Sequence, residues 1–78
     1  MTASRIRNHI RVLRFAASEM TQQQLADKVG VTRQTINAIE GGKYSPTLEV
    51  AFQIADAFDV PLAQVFEYDR PAPQARKR

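Results

Sequence analysis

The sequence has 78 residues, no cysteine, one histidine, and 11 Lys/Arg against 8 Asp/Glu for a net charge of +3. That is the length of one small domain, without disulfides or zinc–thiolate sites to reinforce a thin core, and with almost no raw material for nucleophile–base or metal catalysis, so neither an enzyme nor a cofactor is expected. No apolar run has the form of a signal peptide or the length of a membrane span, so a soluble, cytoplasmic chain without a membrane partner is expected.

Residues 4–69 are expected to fold as one all-α domain of five helices. The first runs roughly 4–17, with Ser4 as N-cap and Ile6, Ile10, Leu13 and Ala17 at helical spacing on one face. His9 stands alone on it and is read as a surface histidine. The second helix begins after Thr21. Thr21-Gln22-Gln23-Gln24 has the capping-box form, a hydroxyl for the third amide and a Gln reaching back. It ends at Gly30, which takes a left-handed cap without a Cβ penalty.

The third helix starts after Thr32, a second N-cap, and runs to about Glu40, where Gly41-Gly42 stops it. The fourth starts near Thr47 and runs to Phe58, with an apolar stripe of Leu48, Ala51, Phe52, Ala55 and Phe58. Pro61 opens a short fifth helix over 61–66 that contributes Leu62, Val65 and Phe66. The one segment with any strand character is Val65-Phe66-Glu67-Tyr68. Residues 70–78 lack apolar bulk, hold two prolines, and are expected to be a disordered basic tail. Arg70, Arg76, Lys77 and Arg78 lie in that tail, whereas residues 1–69 hold seven Lys/Arg against eight Asp/Glu, a net of −1. The folded part is therefore not globally basic, and any attraction to a polyanion depends on where Arg11, Lys28, Arg33 and Lys43 sit.

The informative stretch is Thr21–Pro46. Two short helices join through a tight turn at Gly30, with the small Ala26 where steeply crossing helices need close approach. Ile36 and Ile39 share one face of the third helix, which leaves Arg33, Gln34 and Asn37 on the outer side with Thr35 and Ala38 at its edges. An α-helix fits the major groove of B-DNA; Arg can pair with guanine, Gln or Asn with adenine, and a Thr methyl can touch thymine. The candidate base contacts are therefore Arg33, Gln34, Asn37 and Thr35. The helix ends supply candidate phosphate contacts: Gln22 and Thr32 at helix starts, where free amides favour anions, and Lys43, Tyr44 and Ser45 after the third helix. A purely structural helical hairpin is the plainer alternative, and a protein-binding use of the same outer face is another.

At these residues the sequence resembles the Cro/phage-repressor type of helix-turn-helix regulators, also called xenobiotic-response-element regulators. The matching positions are Thr21-Gln22, Leu25-Ala26, Val29-Gly30-Val31-Thr32, Ile36, Ile39-Glu40, Gly42-Lys43 and Ser45-Pro46-Thr47-Leu48, continuing through Ala51, Ile54-Ala55, Val60-Pro61-Leu62 and Val65-Phe66. The resemblance covers about residues 4–68. It implies a five-helix, lambda-repressor-like DNA-binding domain, with a short C-terminal strand as an option. In the short stand-alone regulators of this type the fifth helix and the hydrophobic end form the dimer contact. That implies Leu62, Val65, Phe66 and Tyr68 as interface candidates. The resemblance also implies an internal tie between Arg14 and Glu40. Here the stretch from Arg14 to Thr21 is one residue longer than the usual spacing.

The expectation that follows is a homodimeric transcription regulator, a repressor by default, bound to an inverted-repeat operator in double-stranded DNA and lacking an effector domain. An antitoxin and a restriction–modification controller share that DNA-binding surface. A protein-interaction module would differ in responding far less to salt.

Overall fold

Asn8 decides where the first helix begins. In the computed structural model, which describes residues 5–69, its Oδ1 accepts the N–H of Ile10 at 3.1 Å. Such a local side-chain bond competes with helix propagation, and α1 spans only Ile10–Ala16, with His9 at its N-cap and no side-chain bond there. The helix expected from residue 4 is thus shorter. Ile6–Asn8 form a strand, β1, and the expected Ser4 cap and the tail at 70–78 lie outside the described residues.

The partner of β1 is β2, Phe66–Tyr68, paired antiparallel with Ile6 opposite Tyr68, Arg7 opposite Glu67 and Asn8 opposite Phe66. The pairing continues at both ends, His9 N–H donating to the Val65 carbonyl at 2.8 Å and Asp69 N–H to that of Arg5 at 2.6 Å. Side chains alternate across such a ladder. Arg7 therefore meets Glu67 across one face, Nη2 to Oε1 at 3.1 Å, and His9 Nε2 lies 2.8 Å from Glu67 Oε2.

Between the strands lie α2 (Gln22–Val29), α3 (Arg33–Glu40), α4 (Leu48–Phe58) and a single turn, α5 (Leu62–Val65). Threonine caps three of them. Thr21, Thr32 and Thr47 hold extended backbone, and each hydroxyl accepts the N–H three residues on, which satisfies one orphan donor at each helix start. At Thr21 the box is complete, with Gln24 Oε1 accepting the Thr21 N–H at 2.8 Å. Gly30 ends α2 at φ 87° and ψ 29°. Gly42 holds φ +77° after α3, while Gly41 stays right-handed.

The core is built from all five helices: Ile10, Leu25, Ala26, Ile36, Ile54 and Val65 are each 0 % exposed. On α4 the buried residues are Ala51, Ile54 and Ala55. Leu48 and Phe52, expected on the inner stripe, are 68 % and 53 % exposed, because centring the stripe on Ile54 turns them outward. Among the described residues no helix is long and apolar enough to cross a membrane.

Candidate nucleic-acid interface

α3 presents two chemically different faces. Ile36 and Ile39 are 0 % and 2 % exposed, whereas Arg33, Gln34 and Asn37 are exposed and Thr35 and Ala38 half-buried. The helix is short, so its position depends on what grips its ends. At its start the Thr32 hydroxyl accepts the Thr35 N–H at 3.1 Å and lies 3.0 Å from the Thr35 hydroxyl. This turns the Thr35 oxygen back toward the cap. The turn before it is tied down by the Gly30 and Val31 N–H groups, both donating to the Ala26 carbonyl, a pairing that closes the end of a helix on a left-handed glycine.

The far end of α3 is held by side chains from other elements. Arg14 donates from Nε and Nη2 to the two oxygens of Glu40, at 3.1 and 2.8 Å, and from Nη1 to the Met20 carbonyl at 2.8 Å. Asn8 donates from Nδ2 to the Ile39 and Glu40 carbonyls at 3.0 and 3.2 Å. These are last-turn carbonyls without a partner inside the helix; that of Ile39 also accepts the Gly42 N–H at 3.0 Å. The extra residue between Arg14 and Thr21 is absorbed by Ser18 and Glu19, both left-handed at φ 61° and 56°. The expected Arg14–Glu40 tie is therefore present despite the longer connection. Nothing in the sequence marked Asn8, since its partners lie 31 and 32 residues away.

The candidate phosphate contacts fall at two places. Gln22, half-buried at the start of α2, donates from Nε2 to Glu40 at 3.4 Å. Thr32 caps α3. Beyond the C-terminus of α3, Lys43, Tyr44 and Ser45 are all exposed. The Lys43 N–H closes the helix by donating to the Ala38 carbonyl at 2.9 Å. Between α1, the start of α2 and α3 lies an open cleft of about 870 Å³, lined in part by Arg11, Phe15, Gln22, Arg33 and Asn37. It places Gln22 beside two of the candidate base-reading side chains. Arg11 and Phe15 also line it; Phe15 was not marked by the sequence pattern, because nothing in the spacing distinguishes an exposed aromatic from a buried one.

The four interface candidates do not share one environment. Val65 is 0 % exposed and belongs to the chain's own core. It has no surface to offer a partner, because α5 packs it inward against α4. Leu62 and Phe66 are half-buried against the same core. Tyr68 is 57 % exposed. The short C-terminal strand is taken up inside the chain by β1.

A helix-turn-helix family profile matches residues 13–65, a span that runs from within α1 to the end of α5. The chain is 52 % identical over 54 residues to the uncharacterized HTH-type transcriptional regulator MJ0272 of Methanocaldococcus jannaschii, covering 69 % of this chain and 82 % of that protein. It is 43 % identical over 61 residues to the uncharacterized HTH-type transcriptional regulator YgzD of Bacillus subtilis, covering 78 % of this chain and 91 % of that one. The fold is similar to the crystal structure of a protein from Bacteroides fragilis described as DNA-binding, with a TM-score of 0.69 and 26 % identity over 80 % of this chain and 98 % of that one. The two sequence relatives carry the name of transcriptional regulators, and the five-helix arrangement described above is lambda-repressor-like. With its capped helix pair, left-handed glycine turn and outward polar face on α3, the chain belongs to the helix-turn-helix family.

Proposed function

We propose that the chain is a sequence-specific transcription regulator that binds double-stranded DNA as a homodimer and represses from an inverted-repeat operator. The observation that carries this reading is the polar face of α3. Arg33, Gln34 and Asn37 are exposed on a helix whose opposite side is locked into the core. Side chains of these types read base edges in the major groove, and the first turn of such a helix, here Arg33 and Gln34, is the end that points at bases. Thr35 adds a methyl group beside them. Gln22, Thr32, Lys43, Tyr44 and Ser45 flank that face and position it on phosphates, which sets register without reading sequence.

One eight-residue helix buries too little surface for tight binding, so the reading includes a two-fold dimer. In that dimer the two copies of α3 lie about 34–36 Å apart, one turn of B-DNA. Tyr68, with the exposed edges of Leu62 and Phe66, supplies the contact. The test is selection of bound duplexes from a random pool. The expected product is an inverted repeat with half-sites about one helical turn apart. A pool that stays random after repeated selection overturns sequence-specific binding, and a single unpaired half-site overturns the dimer.

A further inference from the structure

We propose that Arg11 is a phosphate-binding residue presented by the Phe15 ring, and that the cleft between α1 and the start of α2 seats a DNA backbone phosphate against its guanidinium. The proposal rests on the reading of α3 as the DNA-facing helix and extends the contact surface onto α1. Arg11 and Phe15 stand one turn apart on that helix, and the Arg11 guanidinium carbon lies 5.6 Å from the ring centroid. Both line the cleft that also takes in Gln22 and Arg33. Phe15 stands outside the core and is 53 % exposed, so burial does not account for an aromatic at this position.

The cations of the cleft are in different states. Arg14 lies the same 5.6 Å from the ring, but its Nε, Nη1 and Nη2 are all occupied by Glu40 and the Met20 carbonyl. Arg11 is exposed, and among the described residues no carboxylate pairs with it. An aromatic face attracts a guanidinium without neutralising it. It leaves the in-plane N–H edge open, and that edge binds phosphate oxygens bidentately. The cleft holds three cations, Arg11, Arg14 and Arg33, against two carboxylates, Glu19 and Glu40. Its net positive charge therefore disappears when Arg11 is removed.

The opposite wall has donors of its own. The capping box occupies the N–H groups of Thr21 and Gln24. Those of Gln22 and Gln23 have no carbonyl one turn back to bond, and both residues line the cleft. A phosphate oxygen there meets α2 amides from one side and the Arg11 guanidinium from the other. Two elements then fix the same strand of backbone, and α3 is presented to the groove at a set angle.

The test is a salt series of anisotropy titrations with the full chain and a labelled mixed-sequence duplex. It compares wild type, Arg11→Gln, Phe15→Leu and the double variant, each checked for an unchanged thermal transition. Arg11→Gln is expected to lower the slope of log affinity against log salt by about one and to weaken binding roughly tenfold, the scale of one charge-assisted hydrogen bond. Phe15→Leu is expected to keep the slope and lose affinity severalfold, with no further loss when added to Arg11→Gln. An unchanged slope in Arg11→Gln beside a salt-sensitive wild type overturns this proposal alone. Equal losses from Phe15→Leu with and without Arg11 overturn the role given to the ring. A wild type that does not bind the duplex overturns the DNA reading itself, and this proposal with it.

Discussion

Arg14 reaches from α1 to the last residue of α3 and donates to both carboxylate oxygens of Glu40, at 3.1 and 2.8 Å, with the two side chains only 10 % and 12 % exposed. Breaking a nearly buried pair from one side strands the other charge, which costs more than the pair contributes when intact. Glu40→Ala is expected to lower the unfolding free energy by about 3 kcal/mol, read from urea titrations. The apolar double replacement Arg14→Met with Glu40→Met should cost less than either single change. A double variant worse than both singles would mean that the pair is a net source of stability.

Asn8 performs three tasks with one side chain, accepting from Ile10 and donating to the carbonyls of Ile39 and Glu40. Asn8→Ala is expected to cost about 2 kcal/mol, the usual range for leaving partly buried groups unpaired. It should also speed amide exchange in the last turn of α3. Asn8→Asp keeps the acceptor for Ile10 but loses both donors and faces two carbonyls with a carboxylate. It should be no better than Ala; if it restores wild-type stability, the bonds to α3 are not the ones that matter.

Base reading and phosphate anchoring separate by how sequence and salt enter. Gln34→Ala is expected to cost about 1–3 kcal/mol on the selected operator and to relax preference at one base position. Lys43→Ala should weaken operator and random duplex alike and reduce the salt slope by about one. Identical behaviour of the two variants on both duplexes would remove α3 as the reader.

Val65 and Tyr68 lie three residues apart yet answer to different forces. Val65 is 0 % exposed, and Val65→Ala should destabilise the fold by about 2 kcal/mol through lost contacts and a cavity. Tyr68 is 57 % exposed. Tyr68→Ser should leave thermal stability at high dilution nearly unchanged while weakening self-association in sedimentation equilibrium. Unaltered association in Tyr68→Ser would move the dimer contact elsewhere.

Glu67 carries a pH signature. The hydrogen bond from His9, then the His9 charge and the Arg7 guanidinium, hold its carboxyl below the ordinary value of 4.5. A depressed folded-state value stabilises the fold above the unfolded value, and that contribution is lost as pH falls through the folded one. Denaturation midpoints of wild type should therefore decline in acid, below 4.5, more steeply than those of Glu67→Gln. Parallel curves would show that the β1–β2 ion cluster adds nothing, a real prospect for exposed pairs.

Much of the molecule was legible because its signals are local. Thr21 and Thr32 cap within three residues of themselves, and Gly30 ends α2 through its own backbone. The outward set on α3 follows from where Ile36 and Ile39 must point. What the pattern misread is where two periodicities overlap. Ile6, Ile10, Leu13 and Ala17 fit a helix face, yet Ile6 lies in β1 because its partner, Tyr68, arrives from the far end of the chain. The stripe on α4 was placed one step around the helix, since Leu48 and Phe52 are as apolar as the buried Ile54 and only packing chooses among them.

By itself the sequence determined the capped helix pair, the glycine turn and the polar outer side of α3, since each rests on bonds or spacings within one or two turns of chain. Tertiary structure alone decided the β1–β2 ladder, the inward packing of Val65 and the hold of Asn8 on the end of α3. Those depend on groups brought together from distant positions, and no local pattern records a contact that exists only once the chain has closed on itself.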